Sequence, residues 1–257
     1  MAPIGEPIVD DIFADQVFAR LYDAFNPWGL GDDFYLALAR QTGGPVLDLG
    51  CGTGMLAARI AEEISPVVGA DPAEGMLHVA LRRSGAERVE WIEADARTLD
   101  LGRRFKLIYL TGHAFQVFLN DADALAMLSA ATRHLLPDGL IAFDTRNPAA
   151  RAWLDWKPQE SREIAQVPGL GRVEESVDTK FDEATGIADI IHRYRFLDRE
   201  SESIGQSRIR FTNFDRLAAL MKDAGLAIKS CYGWWDRRPC TPDSKEIIVV
   251  ASLAHTT

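Results

Sequence analysis

The sequence predicts an open α/β fold, a mostly parallel sheet with helices on both faces, and three observations carry that prediction. Val46, Leu47 and Leu49 form the short apolar run of a strand buried on both sides, and it leads through glycines at 50, 52 and 54 into helical spacing over residues 55–61. Apolar runs at 67–71, 89–92, 105–110 and 140–144 then alternate with helical or polar stretches, as successive βα units do. A helix over 213–224 and two strands at 226–232 and 246–251 complete the sheet with an antiparallel pair.

Composition narrows the classes of function. Net charge is −10 and the sequence pI about 5.0, so a phosphate backbone would be repelled and nucleic acid is not expected as a partner. Cys51, Cys231 and Cys240 show no CxxC spacing, which argues against a disulfide framework or a zinc site; no metal is expected, and a reducing cytoplasm fits best. No apolar run approaches the roughly 18 residues that span a bilayer, and residues 1–6 do not read as a basic-then-apolar leader, so no membrane partner is expected.

In chain order, residues 1–40 read as an N-terminal helical segment, with helical periodicity over 11–25 and 32–40 separated by the turn chemistry of Asn26-Pro27-Trp28-Gly29-Leu30-Gly31. Lying before the first core strand, they are expected to cap a ligand pocket. Residues 41–159 form the core, with a helix over 122–136 closed by Pro137-Asp138-Gly139. Residues 160–211 depart from it: 172–181 and 187–196 alternate charged and apolar side chains around Asp182-Glu183-Ala184-Thr185-Gly186, a hairpin, and 203–211 adds a third strand. They read as an antiparallel lobe inserted before residues 212–257 complete the core, one domain overall.

Glycine spacing selects the ligand. A dinucleotide turn wants G-x-G-x-x-G, whereas here Met55 stands where the third glycine belongs. Asp48, two residues before Gly50, would repel a pyrophosphate and suits a cationic amino group. A cationic ligand that bears a carboxylate and lacks phosphates is implied, and S-adenosylmethionine has that character.

The stretch Asp48-Leu49-Gly50-Cys51-Gly52-Thr53-Gly54 resembles motif I of the class I S-adenosylmethionine-dependent methyltransferases. Further pieces in the expected order extend the resemblance over roughly residues 41–145. It implies a Rossmann-like seven-stranded methyltransferase sheet, mostly parallel with the last strand antiparallel, and S-adenosyl-L-methionine as cofactor. Asp48, Gly50, Cys51, Gly52 and Gly54 would then hold the methionine portion. Asp71, 21 residues after Gly50, would accept the ribose hydroxyls, with Pro72 and Met76 beside ribose and adenine. Asp95 would accept from the adenine amine and Ala96 offer its N–H; Thr111 lies at the cofactor edge of the next strand. Each acid has a plainer alternative as a helix or turn cap.

The acceptor should approach the end of the 105–110 strand. No Asn-Pro-Pro-Tyr or Asp-Pro-Pro-Tyr run is present there, which disfavours nucleic-acid and protein amide substrates, nor is there the carboxylate cluster of a magnesium-dependent catechol-type enzyme. His113 is the titratable group of this loop and is either a general base or a structural histidine. Tyr22, in a Tyr22-Asp23 pair resembling the N-terminal cover of small-molecule methyltransferases, either reaches the sulfonium or packs with Phe25 and Trp28. Phe115, Arg146 and Trp235 are expected at the acceptor: Arg146 to hold an anionic group or to pair with a nearby acid, Trp235 to line a pocket or to bury against the sheet. The expected activity is N- or O-methylation of a small-molecule acceptor by in-line displacement, with a homodimer through the lobe. A non-catalytic S-adenosylmethionine-binding or regulatory module is the alternative, and a nicotinamide-dependent oxidoreductase a weaker one.

Overall fold

The structure, a computed structural model, describes residues 10–14 and 16–254. Helices α1 (Asp11–Ala14), α2 (Gln16–Phe25) and α3 (Leu30–Thr42) precede β1 (Val46–Leu49). The core continues through α4 (Met55–Ala61), β2 (Val67–Asp71), α5 (Glu74–Ala80), β3 (Val89–Glu93), β4 (Phe105–Leu110), α6 (Asp121–Arg133) and β5 (Leu135–Arg146). After the lobe strands β6 (Glu163–Val167), β7 (Gly171–Asp182), β8 (Ile187–Phe196) and β9 (Ser201–Arg210) come α7 (Phe214–Asp223), β10 (Leu226–Tyr232) and β11 (Glu246–Leu253).

The main sheet has seven strands in the order β10-β11-β5-β4-β1-β2-β3. β11 runs antiparallel to both β10 and β5, while the other core pairings are parallel. Its two faces are buried separately because side chains alternate along each strand. Leu47, Leu49, Ile108 and Leu110 pack against α6 and α7, whereas Val46, Leu107 and Tyr109 pack against α3 and α4. Chain order reverses between β1 and β4, so the carboxyl ends of these strands open a crevice there.

Two expectations on element boundaries need correction. The turn expected at Pro137-Asp138-Gly139 lies inside β5: Phe105 pairs with Leu135 and Leu107 with Leu140, so the extra residues form a bulge against β4. The lobe has four strands, not three, because the short β6, which pairs with β7, was too brief to show a clear alternation. Among the described residues, no helix is long and apolar enough to cross a membrane.

The third glycine has a packing task. A Cβ on Gly54, at φ +75°, would stand 2.3 Å from the indole of Trp91, and one on Gly69 would stand 2.6 Å from the same ring. Trp91 on β3 therefore slides beneath the glycine turn and fixes α4 against the sheet, its Nε1 donating to the Ala86 carbonyl at 3.0 Å.

Candidate active site

A cavity of about 370 Å³ lies at the carboxyl ends of β1, β2, β4 and β5, covered by the N-terminal helices and by the inner face of the lobe. α2 is tied down across it. Asp23 Oδ1 accepts from Thr53 Oγ1 at 2.6 Å, Arg83 forms an ion pair with Asp23, and Arg83 Nε donates to the Thr53 carbonyl at 2.9 Å. The same helix carries Tyr22 inward, where a Cβ on Gly112 would meet its Oη at 3.4 Å. Burial, then the nearby Asp71, pushes the Tyr22 phenol up to about 12, so it enters the cavity as a neutral hydroxyl.

At the glycine end the wall is largely backbone. Gly50 and Gly52 line it, and a Cβ on Gly52, at φ +53°, would project into open space. Asp71 Oδ2 accepts from the Gly52 N–H and Oδ1 from the Ala73 N–H, both at 2.8 Å, so one carboxylate sets both the glycine turn and the start of α5. Pro72, Met76, Asp95, Ala96 and Thr111 complete this end. Asp95 is fixed by Arg97, whose Nη2 lies at 2.7 Å and whose backbone N–H donates at 2.8 Å.

The other end is built from buried charge. His113 sits at φ +62°, a left-handed conformation that few non-glycine residues adopt, and its backbone N–H donates to Asp144 Oδ2 at 2.8 Å. Its Nε2 lies 3.0 Å from Glu246 Oε2 and 3.7 Å from Asp144 Oδ2, and among the described residues Nδ1 has no partner. Burial and the adjacent Arg146 press the imidazole down to about 4, and burial lifts the Glu246 carboxyl to about 7. Asp144 is fully buried and also accepts from the Tyr35 hydroxyl at 2.7 Å. Arg146 donates to Gln116 Oε1 at 2.9 Å and lies over the Trp156 ring at 5.0 Å, balancing Glu246 and Asp144.

The structure thus gathers most of the sequence-derived candidates, Tyr22, His113 and Arg146 included, around one cavity. It sets five aside from the wall. Asp48 is 1% exposed on the α3–α4 face; burial pushes its carboxyl to about 8, and its Oδ1 has no hydrogen-bond partner among the described residues. Cys51 is buried against Gly69, and Gly54 lies over Trp91. Phe115 stacks on Phe143 at 4.6 Å in the core, and Trp235 packs on Phe34 and Tyr35 outside the cavity. Sequence reading passed over Glu246 and Asp144. The signal for both was a lone acid at one end of an apolar strand; β11–β5 pairing sets Glu246 beside Arg146 and Ile248 beside Asp144.

These features fit an adenosyl sulfonium ligand. A side-chain-free bend and two carboxylates line the glycine end, and among the described residues of the cavity wall Arg146 is the one guanidinium, at the opposite end, where it would not serve a pyrophosphate. Residues 46–139 match the Methyltransferase domain family. Over 252 residues the chain is 25% identical to cypemycin N-terminal methyltransferase of Streptomyces sp., covering 96% of this chain and 98% of that one. It is 30% identical over 135 residues to dTDP-3-amino-3,6-dideoxy-alpha-D-glucopyranose N,N-dimethyltransferase of Streptomyces fradiae, a match spanning 49% of this chain and 52% of that protein. The solved structure of the sugar N-methyltransferase KedS8 from Streptoalloteichus sp. superposes with a TM-score of 0.78 at 17% identity, covering 99% of both chains.

Fold and site define a methyl-transferring enzyme of the seven-stranded α/β type. The chain is a class I S-adenosylmethionine-dependent methyltransferase, and S-adenosylmethionine is its methyl donor. The oxidoreductase and non-catalytic readings fall with that assignment.

Proposed function

We propose that the enzyme N-methylates a small-molecule amine, with His113 as the general base. The observation that carries this is the neutral imidazole at the cavity wall, held through Nε2 by Glu246 with Nδ1 unpartnered. An amine arrives as ammonium and must lose a proton before its lone pair can attack. With Nε2–H directed at Glu246, Nδ1 keeps a lone pair to take that proton, and Glu246 and Asp144 stabilise the imidazolium formed.

S-adenosylmethionine, when bound, supplies an already electrophilic methyl group, so the chain's own work is alignment, exclusion of water and handling of the proton. Asp71 would bind the ribose, Asp95 and Ala96 the adenine edge, with Pro72, Met76 and Thr111 beside them, and the backbone at Gly50, Cys51 and Gly52 the methionine portion. Asp48 and Gly54 would support that bend from beneath. Tyr22 closes the cavity near His113, and Arg146 holds the buried acids in register. The names of the two relatives above, an N-terminal methyltransferase and an N,N-dimethyltransferase, support nitrogen as the acceptor atom.

Isothermal calorimetry with S-adenosylhomocysteine tests the cofactor half. Micromolar binding that weakens about tenfold or more in Asp71→Ala is expected, given the loss of hydrogen bonds to a charged acceptor. Absence of heat with folded wild-type protein would end the reading. Label transfer from methyl-labelled donor to amine and phenol panels tests the acceptor half, and exclusive methylation of phenols would shift the assignment to oxygen.

Cytoplasmic residence is supported by three unbridged thiols. A homodimer through the lobe is supported by Ile164 and Ile204, which are 57% and 50% exposed on its edge strands; ultracentrifugation of wild type and Ile204→Glu would show it.

A further inference from the structure

The lobe's inner face forms the roof of the cavity, and it carries a polar cluster that methyl transfer itself does not use. Alternate residues of β7, β8 and β9 turn toward the cavity, as strand periodicity requires. Val177, Ile190 and Ile209 make part of that surface apolar. Glu175, His192, Tyr194 and Ser207 form one connected group within it: Glu175 Oε1 accepts from the Tyr194 hydroxyl at 2.8 Å and lies 3.5 Å from His192 Nδ1, while His192 Nε2 lies 2.9 Å from Ser207 Oγ.

The contrast with the neighbouring residue is informative. Glu174 points to the other face of β7 and is met there by Arg195 at 3.2 Å and Arg162 at 3.8 Å. Glu175 lines the cavity, and its partners are a phenol and an imidazole; both contacts fall on Oε1, and among the described residues Oε2 has none. The carboxylate is also held firmly. Tyr194, 6% exposed, has its ring between Phe18 at 5.5 Å and Phe25 at 5.7 Å, and register sets it directly opposite Glu175. With its side chain 18% exposed, Glu175 keeps one carboxylate oxygen open to a donor that enters the cavity.

We propose that Glu175, oriented by Tyr194 and His192, is a recognition site for a second hydrogen-bond-donating group of the acceptor, an ammonium or hydroxyl borne apart from the methylated nitrogen. This rests on the reading of the His113 end as the site of N-methylation. The acceptor class is then a bifunctional polar amine whose apolar spacer passes Val177, Ile190 and Ile209. A plain monoamine offers Glu175 Oε2 no donor, and sites built to hydrogen-bond a ligand discriminate against analogues that lack the donor.

The test uses wild-type protein saturated with S-adenosylhomocysteine and a matched series: butylamine, 4-aminobutan-1-ol and 1,4-diaminobutane. Calorimetric titration should show the two bifunctional amines binding about tenfold or more tightly than butylamine. In Glu175→Gln the diamine's advantage should vanish, while the amino alcohol, which still finds an amide oxygen, should keep part of its own; the tighter of the two in the wild type assigns the group as ammonium or hydroxyl. Tyr194→Phe, which removes only the orienting hydroxyl, should give a smaller loss and guards against a folding failure of the first variant. Equal binding of all three amines, binding of none, or a preference that survives both substitutions overturns the proposal. Failure of the underlying reading would show separately, as transfer of labelled methyl to phenols and to none of the amines.

Discussion

The two ends of the cavity are built from different materials. At the glycine end the surface is backbone, and its shape is set by what is missing: side chains at Gly50 and Gly52, with Trp91 filling the space under Gly54. At the His113 end the surface is side chain, and its shape is set by charge: Asp144, Glu246 and Arg146 hold one another and an imidazole out of water. The first end should therefore be governed mainly by space, and the second by the protonation of its acids and imidazole.

The severest way to break the first end is Gly54→Val. A branched side chain at φ +75° whose Cβ would fall 2.3 Å from Trp91 has no relaxed position. Loss of about 4 kcal/mol or more of stability in urea titration is expected, from overpacking added to left-handed strain. Gly52→Ala, with open space at its Cβ, should lose much less stability and instead weaken S-adenosylhomocysteine binding. If the two variants are equally stable, the division of labour between the glycines is wrong.

Next in size are changes at the charged end. His113→Asn tolerates the left-handed backbone and removes the base, so turnover should fall about a hundredfold with little change in cofactor affinity. Because Glu246 is lifted to about 7 and His113 lowered to about 4, the imidazole is neutral throughout the physiological range and the acid beside it titrates within it. The kcat/KM profile should rise as Glu246 ionises near pH 7, and Glu246→Gln should erase that limb. A limb that persists in the variant belongs to another group.

The smallest effect sharpens the contrast through stability. Asp48 and Glu246 both have folded values above their unfolded ones, so the stability they carry is complete below about pH 4 and drains as pH rises through about 7 and 8. His113, depressed from 6.5 to about 4, works the other way and costs stability as pH falls across that window. Asp48→Asn should flatten part of the loss of stability with rising pH between roughly pH 4 and 8, measured as denaturation midpoints across pH. An unchanged slope would mean that Asp48 is ionised in the folded protein.

The glycine end was largely legible in the sequence because its parts are local. A strand, a three-glycine bend and an acid 21 residues on occupy one βαβ unit, and parallel pairing of β1 with β2 brings Asp71 to the bend without help from distant segments. Asp48 was legible as an acid and misleading as a wall residue, since strand alternation turns it toward α3 and α4, away from the cavity. Phe115 and Trp235 were likewise drawn to the site by their neighbours in sequence, while the aromatic packing of Phe143, Phe34 and Tyr35 holds them elsewhere.

By itself, then, the order of residues determined the sheet type, the position of the bend and the class of ligand, because hydrophobic period and glycine spacing act over a few neighbouring residues. Only the tertiary structure decided which acids stand behind His113 and that Glu175 faces inward while Glu174 faces out. Glu246 lies 133 residues from His113 and reaches it through the antiparallel register of β11 on β5. Such registers are fixed by the packing of whole sheets, where a shift of one residue would send each of these side chains to the opposite face.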